Sequence, residues 1–217
     1  MMMISPDCNL AETAQVLRDS FYVVDVETTG LGEQDTVVEI AVVDCATRET
    51  LLNCLIRPGS PMGSGAASVH GISEGQALKE GKNLAEQLSA LFTESDQKSP
   101  GSLKYLTAYN LPFDRRLIMQ SLYKEPVTSR ADAQTQFAAI SGLSIRTNQP
   151  FCVMELANRF FVRHAAWDTE RSCFKRLSLE QCLELAGIER EGHAHRALSD
   201  ALATVDLIHY MAQHKTC

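Results

Sequence analysis

The chain has 217 residues, of which 45% are hydrophobic and 22% charged, as expected for one globular domain. We expect neither membrane insertion nor secretion, because the sequence has no long apolar run and no basic start followed by an apolar core. Its formal net charge of −7 argues against a protein that holds nucleic acid mainly through a broad basic surface, but not against a small cleft for one strand end. Seven cysteines without a Cys-x-x-Cys pair predict a reduced, cytoplasmic protein without a zinc cluster.

The first half of the chain predicts strands followed by a helix. A short leading helix is expected over 9–20, and β-branched and aromatic runs predict strands over 21–26, 37–43 and 51–56. Short polar links between successive strands favour an antiparallel meander. The pattern then changes to a helical period over 73–92, with Ser73 as the N-cap.

The second half predicts strands that alternate with helices. We expect strands at 103–108 and 151–154, the latter running into a helix near Phe160, and helices at 112–122, 178–186 and 197–213. The segment 127–150 has no firm period and is either an insertion or a small helical excursion. Together these elements predict an α/β fold with a mixed five-stranded sheet and helices packed on it. Residues 1–20 would be an N-terminal extension to a single domain over 21–217.

Two acids end the first predicted strand. Asp25 and Glu27 are two positions apart, so both side chains leave the same face of the strand. Carboxylates so close repel each other unless a cation lies between them, and hard oxygen ligands suit Mg²⁺ or Mn²⁺. The alternative is a pair of solvated acids at a strand end.

Further candidate residues stand at the starts of two predicted helices. Asp114 follows a predicted strand and opens a helix, where ligands gather in α/β folds, although ordinary helix capping explains it equally well. His195 precedes the last helix and Asp200 follows five residues later, off the apolar stripe of that helix. Alone, Asp200 would be a solvated surface residue.

In combination these three segments resemble a known family. FYVVDVETTGL (21–31), AYNLPFDRR (108–116) and HRALSDA (195–201) are similar to the three motifs of the DEDDh, or DnaQ-like, exonucleases. The resemblance extends over 21–213, and within the family it is greatest to the exonuclease X-like DNA exonucleases. One departure is Tyr109, where the family often has histidine.

The resemblance implies a ribonuclease H-like sheet, two divalent cations (Mg²⁺ or Mn²⁺) and hydrolysis from the 3′ end that releases nucleoside 5′-monophosphates. It assigns the metal ligands to Asp25, Glu27, Asp114 and Asp200, and the general base to His195. Asp25 would bridge the metals, Glu27 and Asp200 would complete the site of the attacking water, and Asp114 would hold the second metal. His195 would accept the proton of that water.

Contacts to the substrate are also expected from the resemblance. Backbone groups of Thr28, Thr29 and Gly30 would approach the terminal nucleotide, and its base and sugar would pack on Leu31, His70 and Ile72. Asn110 and Phe113 are further candidates for contact with the substrate. A simple turn after the strand, a loop anchored by Ile72 and a core position for Phe113 are the alternatives. The expected partner is a nucleic-acid 3′ end, with single-stranded or frayed DNA favoured. An RNA-trimming enzyme of the same family and a non-catalytic nucleic-acid-binding module remain the other possibilities.

Overall fold

The computed structural model describes residues 10–98, 104–126, 131–138, 151–170 and 172–214. Within them, a mixed sheet lies between two groups of helices. Most of the predicted insertion at 127–150 lies outside the described residues, and its described part, 131–138, is helical. No helix of the described residues is long and apolar enough to cross a bilayer.

Besides the helical segment 131–138, the helices are α1 (Leu10–Ser20), α2 (Ser64–His70), α3 (Glu74–Glu80), α4 (Leu84–Lys98), α5 (Leu111–Lys124), α6 (Val153–Phe160), α7 (Leu179–Ala186) and α8 (Ala197–Gln213). A 3₁₀ turn spans Val162–His164. The strands are β1 (Phe21–Thr28), β2 (Val37–Asp44), β3 (Thr50–Leu55), β4 (Tyr105–Thr107), β5 (Trp167–Asp168) and β6 (Cys173–Phe174).

The main sheet has the order β3-β2-β1-β4. Strands β1, β2 and β3 form the predicted antiparallel meander, and β4 pairs with β1 in parallel. The mixed α/β fold is therefore confirmed. Because β1 and β4 are parallel, their carboxyl ends lie at the same edge of the sheet.

The predicted fifth strand at 151–154 is wrong, and the main sheet has four strands in the part of the chain described. Residues Val153–Phe160 form α6 instead. The backbone N–H groups of Val153 and Met154 donate to the carbonyls of Ala108 and Tyr109 at 3.1 and 2.8 Å, so this helix begins directly beside the turn after β4. A short apolar run does not by itself distinguish a strand from the start of a buried helix.

The single helix predicted over 73–92 is divided into α3 and α4. Ser73 is the expected N-cap and accepts from Gln76 N at 3.2 Å. A Cβ on Gly81, between the two helices, would lie 2.4 Å from the backbone nitrogen of Arg57. The chain therefore leaves the helix here to pass close to the end of β3, where Lys82 N donates to Leu55 O at 2.9 Å. The short helix α2 and the β5–β6 hairpin were not predicted.

Two apolar layers cover the two faces of the main sheet. On one face the alternate residues Tyr22, Val24 and Val26 pack with α4 and α5. On the other face Phe21 and Val23 join a core formed largely by α1, α6 and α8. Since side chains alternate along a strand, the next residues on this second face are Asp25 and Glu27. The fold therefore places these two acids at the edge of the core that contains α8.

Candidate active site and related proteins

Asp25 and Glu27 lie at the end of β1, where the strand still pairs with β2 but has passed its last residue paired with β4, Val23. Asp25 pairs with Ala41 and Glu27 with Glu39 in the antiparallel ladder, which shifts register between Glu27 and Thr28. A bulge of this kind commonly ends regular pairing beside a functional site. Both acids remain partly accessible although the strand before them is buried.

The last helix brings a third carboxylate to the same place. Helix α8 packs on β1 and β2, and its first turn contains Asp200. One carboxylate oxygen from each of Asp25, Glu27 and Asp200 lies within 4.8 Å of the other two. Three hard oxygen donors at this separation fit Mg²⁺ or Mn²⁺.

Asp114 approaches from the opposite side of the sheet. It lies in the first turn of α5, is only 4% exposed and accepts a hydrogen bond from the backbone N–H of Val26 at 3.3 Å. It lines the same cleft as Asp25 and Asp200 but lies outside the group of three close carboxylates. The structure thus gathers all four predicted acids around one cleft, with Asp114 in a distinct position.

This grouping perturbs the acids strongly. Burial raises the pKa of Asp25 well above its usual range, and the carboxylates of Asp114, Asp200, Glu27 and Glu39 raise it further. Burial, assisted by Asp200, also raises the pKa of Glu27 to about 8. The pKa of Asp114 is raised to about 8 by burial, and burial raises the pKa of Asp200 as well. Carboxyl groups in this state are poised to bind a cation, which would favour their ionised forms.

His195 reaches the cleft from the loop 187–196 before α8. Its side chain is exposed, it lines the cleft, and its backbone adopts φ +59°, a conformation that non-glycine residues rarely adopt. Burial raises the pKa of Asp200, and the Arg190 guanidinium and His195 offset part of this rise. Arg190 forms ion pairs with Asp200 and, at 2.5 Å, with Glu180, and it therefore links Asp200 to α7.

The cleft has a volume of about 500 Å³, in the range of small-ligand sites. Apolar side chains form its rim: Leu31 is 76% and Val69 54% exposed. A larger cavity of about 640 Å³, lined by Lys82 and Lys124 among others, contains none of the predicted site residues. Chemistry, and not size, therefore distinguishes the candidate active site.

The turn after β1 is only partly in the cleft. Thr28, Gly30 and Leu31 line it, whereas Thr29 is fully buried and its hydroxyl bonds Asp35 at 2.8 Å. The Thr29 backbone N–H donates to Thr36 O at 2.8 Å, so the structure does not offer it to a substrate. A Cβ on Gly30 would lie 2.7 Å from the Asp35 carboxylate, which makes close approach, and not flexibility, the reason for glycine here.

His70 lines the cleft and Ile72 does not. The buried His70 ring accepts from Ile72 N at Nδ1, at 3.0 Å, which leaves Nε2 to donate to Thr28 O at 3.2 Å. Burial lowers the pKa of His70. Ile72 packs with Val38 and Ala77 in a separate small core. His70 therefore connects α2 to the end of β1, and Ile72 anchors the loop.

Asn110, Phe113 and Tyr109 also line the cleft. Asn110 occupies the N-cap position of α5, yet its side chain makes no cap hydrogen bond. Phe113 is half-buried against the first core, and the Arg116 guanidinium lies 5.5 Å from its ring centre. The Tyr109 hydroxyl donates to Leu177 O at 2.6 Å, so this departure from the family pattern has a structural role.

Two charged residues beside the site were missed by the sequence reasoning. Glu39 is 4% exposed and contacts Arg196, and Arg190 contacts Asp200. Glu39 had a detectable signal, because it is one acid inside the almost continuous apolar strand VVEIAVV (37–43). Arg190 lies in a polar loop and had no such signal.

Comparison with known proteins agrees with this geometry. The RNase T family model, described as an exonuclease, matches residues 22–208. The uncharacterized exonuclease CP81 of Escherichia phage 186 is 28% identical over 204 residues, which cover 91% of this chain and 90% of the relative.

Solved structures share the fold. Exonuclease X in complex with 5′ overhanging duplex DNA superposes with a TM-score of 0.52 at 23% identity, covering 88% of this chain and 90% of that chain. Exonuclease I of Methylocaldum szegediense gives 0.57 at 20% identity over 87% of this chain. E. coli exonuclease I in complex with a dA16 oligonucleotide gives 0.57 at 18% over 87%. The chain spans only 39% of each of these exonuclease I chains. From the family match over most of its length, this chain belongs to the RNase T exonuclease family.

Proposed function

We propose that the protein is a metal-dependent 3′→5′ exonuclease that releases nucleoside 5′-monophosphates from a nucleic-acid 3′ end. The observation that carries this proposal is the convergence of Asp25, Glu27 and Asp200, whose carboxylate oxygens lie within 4.8 Å of one another. His195 and Asp114 line the same cleft. The family match supports the reaction class, and the acid cluster supports the use of metal.

The residues divide the work by position. Asp25, Glu27 and Asp200 would hold one divalent cation, and Asp114, with Asp25, would hold the second. Two cations held there would supply a more nucleophilic water and would offset the charge that develops on the departing oxygen. Mg²⁺ and Mn²⁺ both suit an all-carboxylate set.

His195 is the proton acceptor in this scheme. As the oxygen of the attacking water bonds to phosphorus, its proton passes to the exposed His195 ring, and the bond from phosphorus to the 3′ oxygen breaks. That oxygen takes a proton from solvent, and the phosphate remains on the 5′ side of the released nucleotide. The exposure of His195 in the cleft allows its proton to return to solvent between turnovers.

DNA is the favoured substrate. Two structural relatives are described in complex with DNA, one with a 5′ overhanging duplex and one with a dA16 oligonucleotide. A 3′ end that is single-stranded or frayed would present its last nucleotide to a cleft of about 500 Å³ with the apolar rim residues Leu31 and Val69. These features favour a free end over a blunt duplex.

The two alternatives have less support. A non-catalytic binding module would have no need of four acids and a histidine around one cleft, which burial and mutual repulsion make costly. An RNA-trimming enzyme would use the same chemistry, and therefore only substrate selection separates it from a DNA exonuclease.

Product analysis tests the direction and the reaction. End-labelled oligonucleotides incubated with Mg²⁺ should release 5′-monophosphates one at a time from the 3′ end, and a 3′-phosphorylated end should be a poor substrate. Release of 3′-monophosphates, or early internal fragments, would refute the proposal.

A substrate panel tests the choice of nucleic acid. Single-stranded DNA should have the highest kcat/KM, above both blunt duplex DNA and short RNA of matched sequence. A preference for RNA above about tenfold in kcat/KM, equivalent to about 1.4 kcal/mol, would replace DNA by RNA without affecting the mechanism.

A further inference from the structure

Beside the four candidate metal ligands lies a fifth carboxylate, Glu39. It pairs directly with Glu27 across β1 and β2, so the two side chains leave the same face of the sheet. Glu39 is only 4% exposed, and buried acids are rarely found without a partner. It is nevertheless absent from the set of carboxylates that could share a cation.

The partners of Glu39 explain why. Arg196 donates from Nε to both carboxylate oxygens, at 3.2 and 3.1 Å, and from Nη2 to Oε1 at 2.5 Å. The backbone N–H of Ala197 donates to Oε2 at 2.9 Å. Both oxygens of Glu39 are thus engaged by the residues that start α8, which leaves them poorly placed to bind a metal.

This contact stabilises the start of α8 from another part of the fold. Arg196 occupies the N-cap position of the helix, and its side chain makes no cap hydrogen bond. The first N–H groups of a helix have no partner within the helix, and a carboxylate at that end is also favoured by the helix dipole. Glu39 therefore performs the capping function that a local side chain would otherwise perform.

The same contact constrains His195. This residue directly precedes Arg196 and has φ +59°, a left-handed conformation that is unfavourable for a non-glycine residue and must be held by its surroundings. On the other side, the Arg196 carbonyl accepts from Asp200 N at 3.0 Å. Fixing Arg196 and Ala197 to β2 therefore fixes the backbone from which the His195 ring enters the cleft.

We propose that Glu39 is a positioning residue, which acts through Arg196 and the start of α8 to hold His195 over the carboxylates of β1. This inference rests on the proposed function, because it assigns Glu39 a task only if His195 takes part in hydrolysis. It also explains why an acid stands in an otherwise apolar strand.

The central test is Glu39→Gln, which keeps the shape and one acceptor oxygen but removes the charge that binds Arg196. Because changes to residues that orient a catalytic group typically cost about 10- to 100-fold, kcat should fall by that factor, with KM within about twofold of wild type. Mg²⁺ binding, measured by calorimetry, should be unchanged. Arg196→Lys, which loses the planar fork, should show the same pattern, and the double variant should lose no more than either single variant.

Asp44→Asn is the matched control. Asp44 lies on the same strand and accepts Lys104 Nζ at 2.8 Å on both oxygens, but it pairs with Tyr22 at the far end of β1. It should keep kcat while losing a similar ion pair. Hydrogen exchange supplies a readout without activity: the Ala197 amide should exchange faster in Glu39→Gln, whereas the amides of β1 should not.

A double-mutant cycle decides between positioning and general damage. If Glu39 acts through His195, adding Glu39→Gln to His195→Ala should reduce the residual kcat by less than about threefold. An equal loss in both backgrounds, or weakened Mg²⁺ binding, would overturn the inference. Full activity of Glu39→Gln would also overturn it, while inactivity of Asp25→Ala and His195→Ala would leave the proposed function intact. If those two variants remained active, the proposed function itself would fail.

Discussion

The end of β1 and the loop 187–196 bring reactive groups to one cleft, but different forces hold them. Asp25 and Glu27 both pair with β2, on a strand whose first residues, up to Val23, also pair with β4. The loop with His195 has no such ladder. It is held by long side chains and polar contacts: Arg190 to Glu180 and Asp200, Arg196 to Glu39, Arg48 to Glu191, and Ser199 Oγ to Glu191 O.

The carboxylates of β1 and the ring of His195 are therefore held in position in two different ways. Sheet pairing positions the carboxylates through the backbone, so their separation survives most side-chain changes. The position of His195 depends on a few charged pairs, which single substitutions and salt can weaken. We therefore expect ligand substitutions to remove the reaction outright, and loop substitutions to misplace one catalytic group while metal binding continues.

The largest effect is expected from Asp25. Asp25→Asn should reduce nuclease activity to background, because it removes a direct cation ligand. Without metal, the same variant should be more stable than wild type, because it removes one of several repelling buried acids. A gain of 1 kcal/mol would raise Tm by about 2–4 °C in a domain of this size. Substantial turnover with Mg²⁺, or a lower metal-free Tm, would contradict the assignment of Asp25.

His195 should give the next largest effect. His195→Ala should lose about 10²- to 10⁴-fold in kcat, the range typical of general acid–base catalysis, with Mg²⁺ binding retained. His193→Ala is the control, because His193 is exposed on the same loop and does not line the cleft. A larger loss of kcat in His193→Ala would show that His195 is not the base, and would leave the roles of the carboxylates unaffected.

The same contrast determines what could be predicted from sequence. The juxtaposition of Asp25 and Glu27 is predictable because strand alternation is local, whereas only the resemblance to family motifs implies that Asp114, His195 and Asp200 lie beside them. The ion pair of Arg190 with Asp200 joins residues 10 positions apart, and that of Glu39 with Arg196 joins residues 157 positions apart. A local hydrophobic period cannot predict either contact.

The errors have similar causes. The break at Gly81 follows from the approach of Arg57, a contact between distant parts of the chain. The false strand at 151–154 was an apolar run too short to distinguish strand from helix. Thr29 and Ile72 do not line the cleft, because tertiary packing that the motif does not reveal buries both side chains.

The metal-free protein should lose stability as pH rises. The pKa values of Glu27 and Asp114 are raised to about 8 in the folded state, so between about pH 4.5 and 8 the folded protein binds more protons than the unfolded chain. The stability from these groups is complete below the unfolded pKa and is lost as pH rises through the folded pKa. With a chelator present, Tm should fall by about 5 °C or more from pH 5.5 to 8, a few kcal/mol.

Mg²⁺ supplies the control for this pH dependence. Adding it at pH 8 should restore most of the lost Tm, because the cation favours the ionised carboxylates. With a chelator present, Glu27→Gln should reduce the fall of Tm with pH. A metal-free Tm that rises between pH 5.5 and 8 would show that other groups dominate and that the acids are less perturbed than their burial indicates.

The smallest effect is expected at the rim of the cleft. Leu31 is 76% exposed, and its loop is held by α5, since Arg116 donates to the carbonyls of Leu31 and Gly32 at 3.2 Å. An apolar side chain held in the open is available to pack on a terminal nucleotide, and full burial of a leucine is worth about 1.5–3 kcal/mol. Leu31→Ala should therefore raise KM by about threefold to tenfold, because binding buries only part of the side chain. Its kcat and Tm should be unchanged, since the residue packs on little in the free protein.

Leu78→Ala is the matched control for this prediction. Leu78 is 49% exposed on α3 and does not line the cleft, so its truncation should leave KM unchanged. Arg116→Ala should raise KM as Leu31→Ala does, because it releases the loop that presents Leu31, and the two changes together should not add. If Leu31→Ala lowered kcat instead of raising KM, the side chain would be aligning the scissile phosphate over the β1 carboxylates. Leu31 would then act in the hydrolysis step together with those carboxylates, and its role would not be limited to binding the substrate.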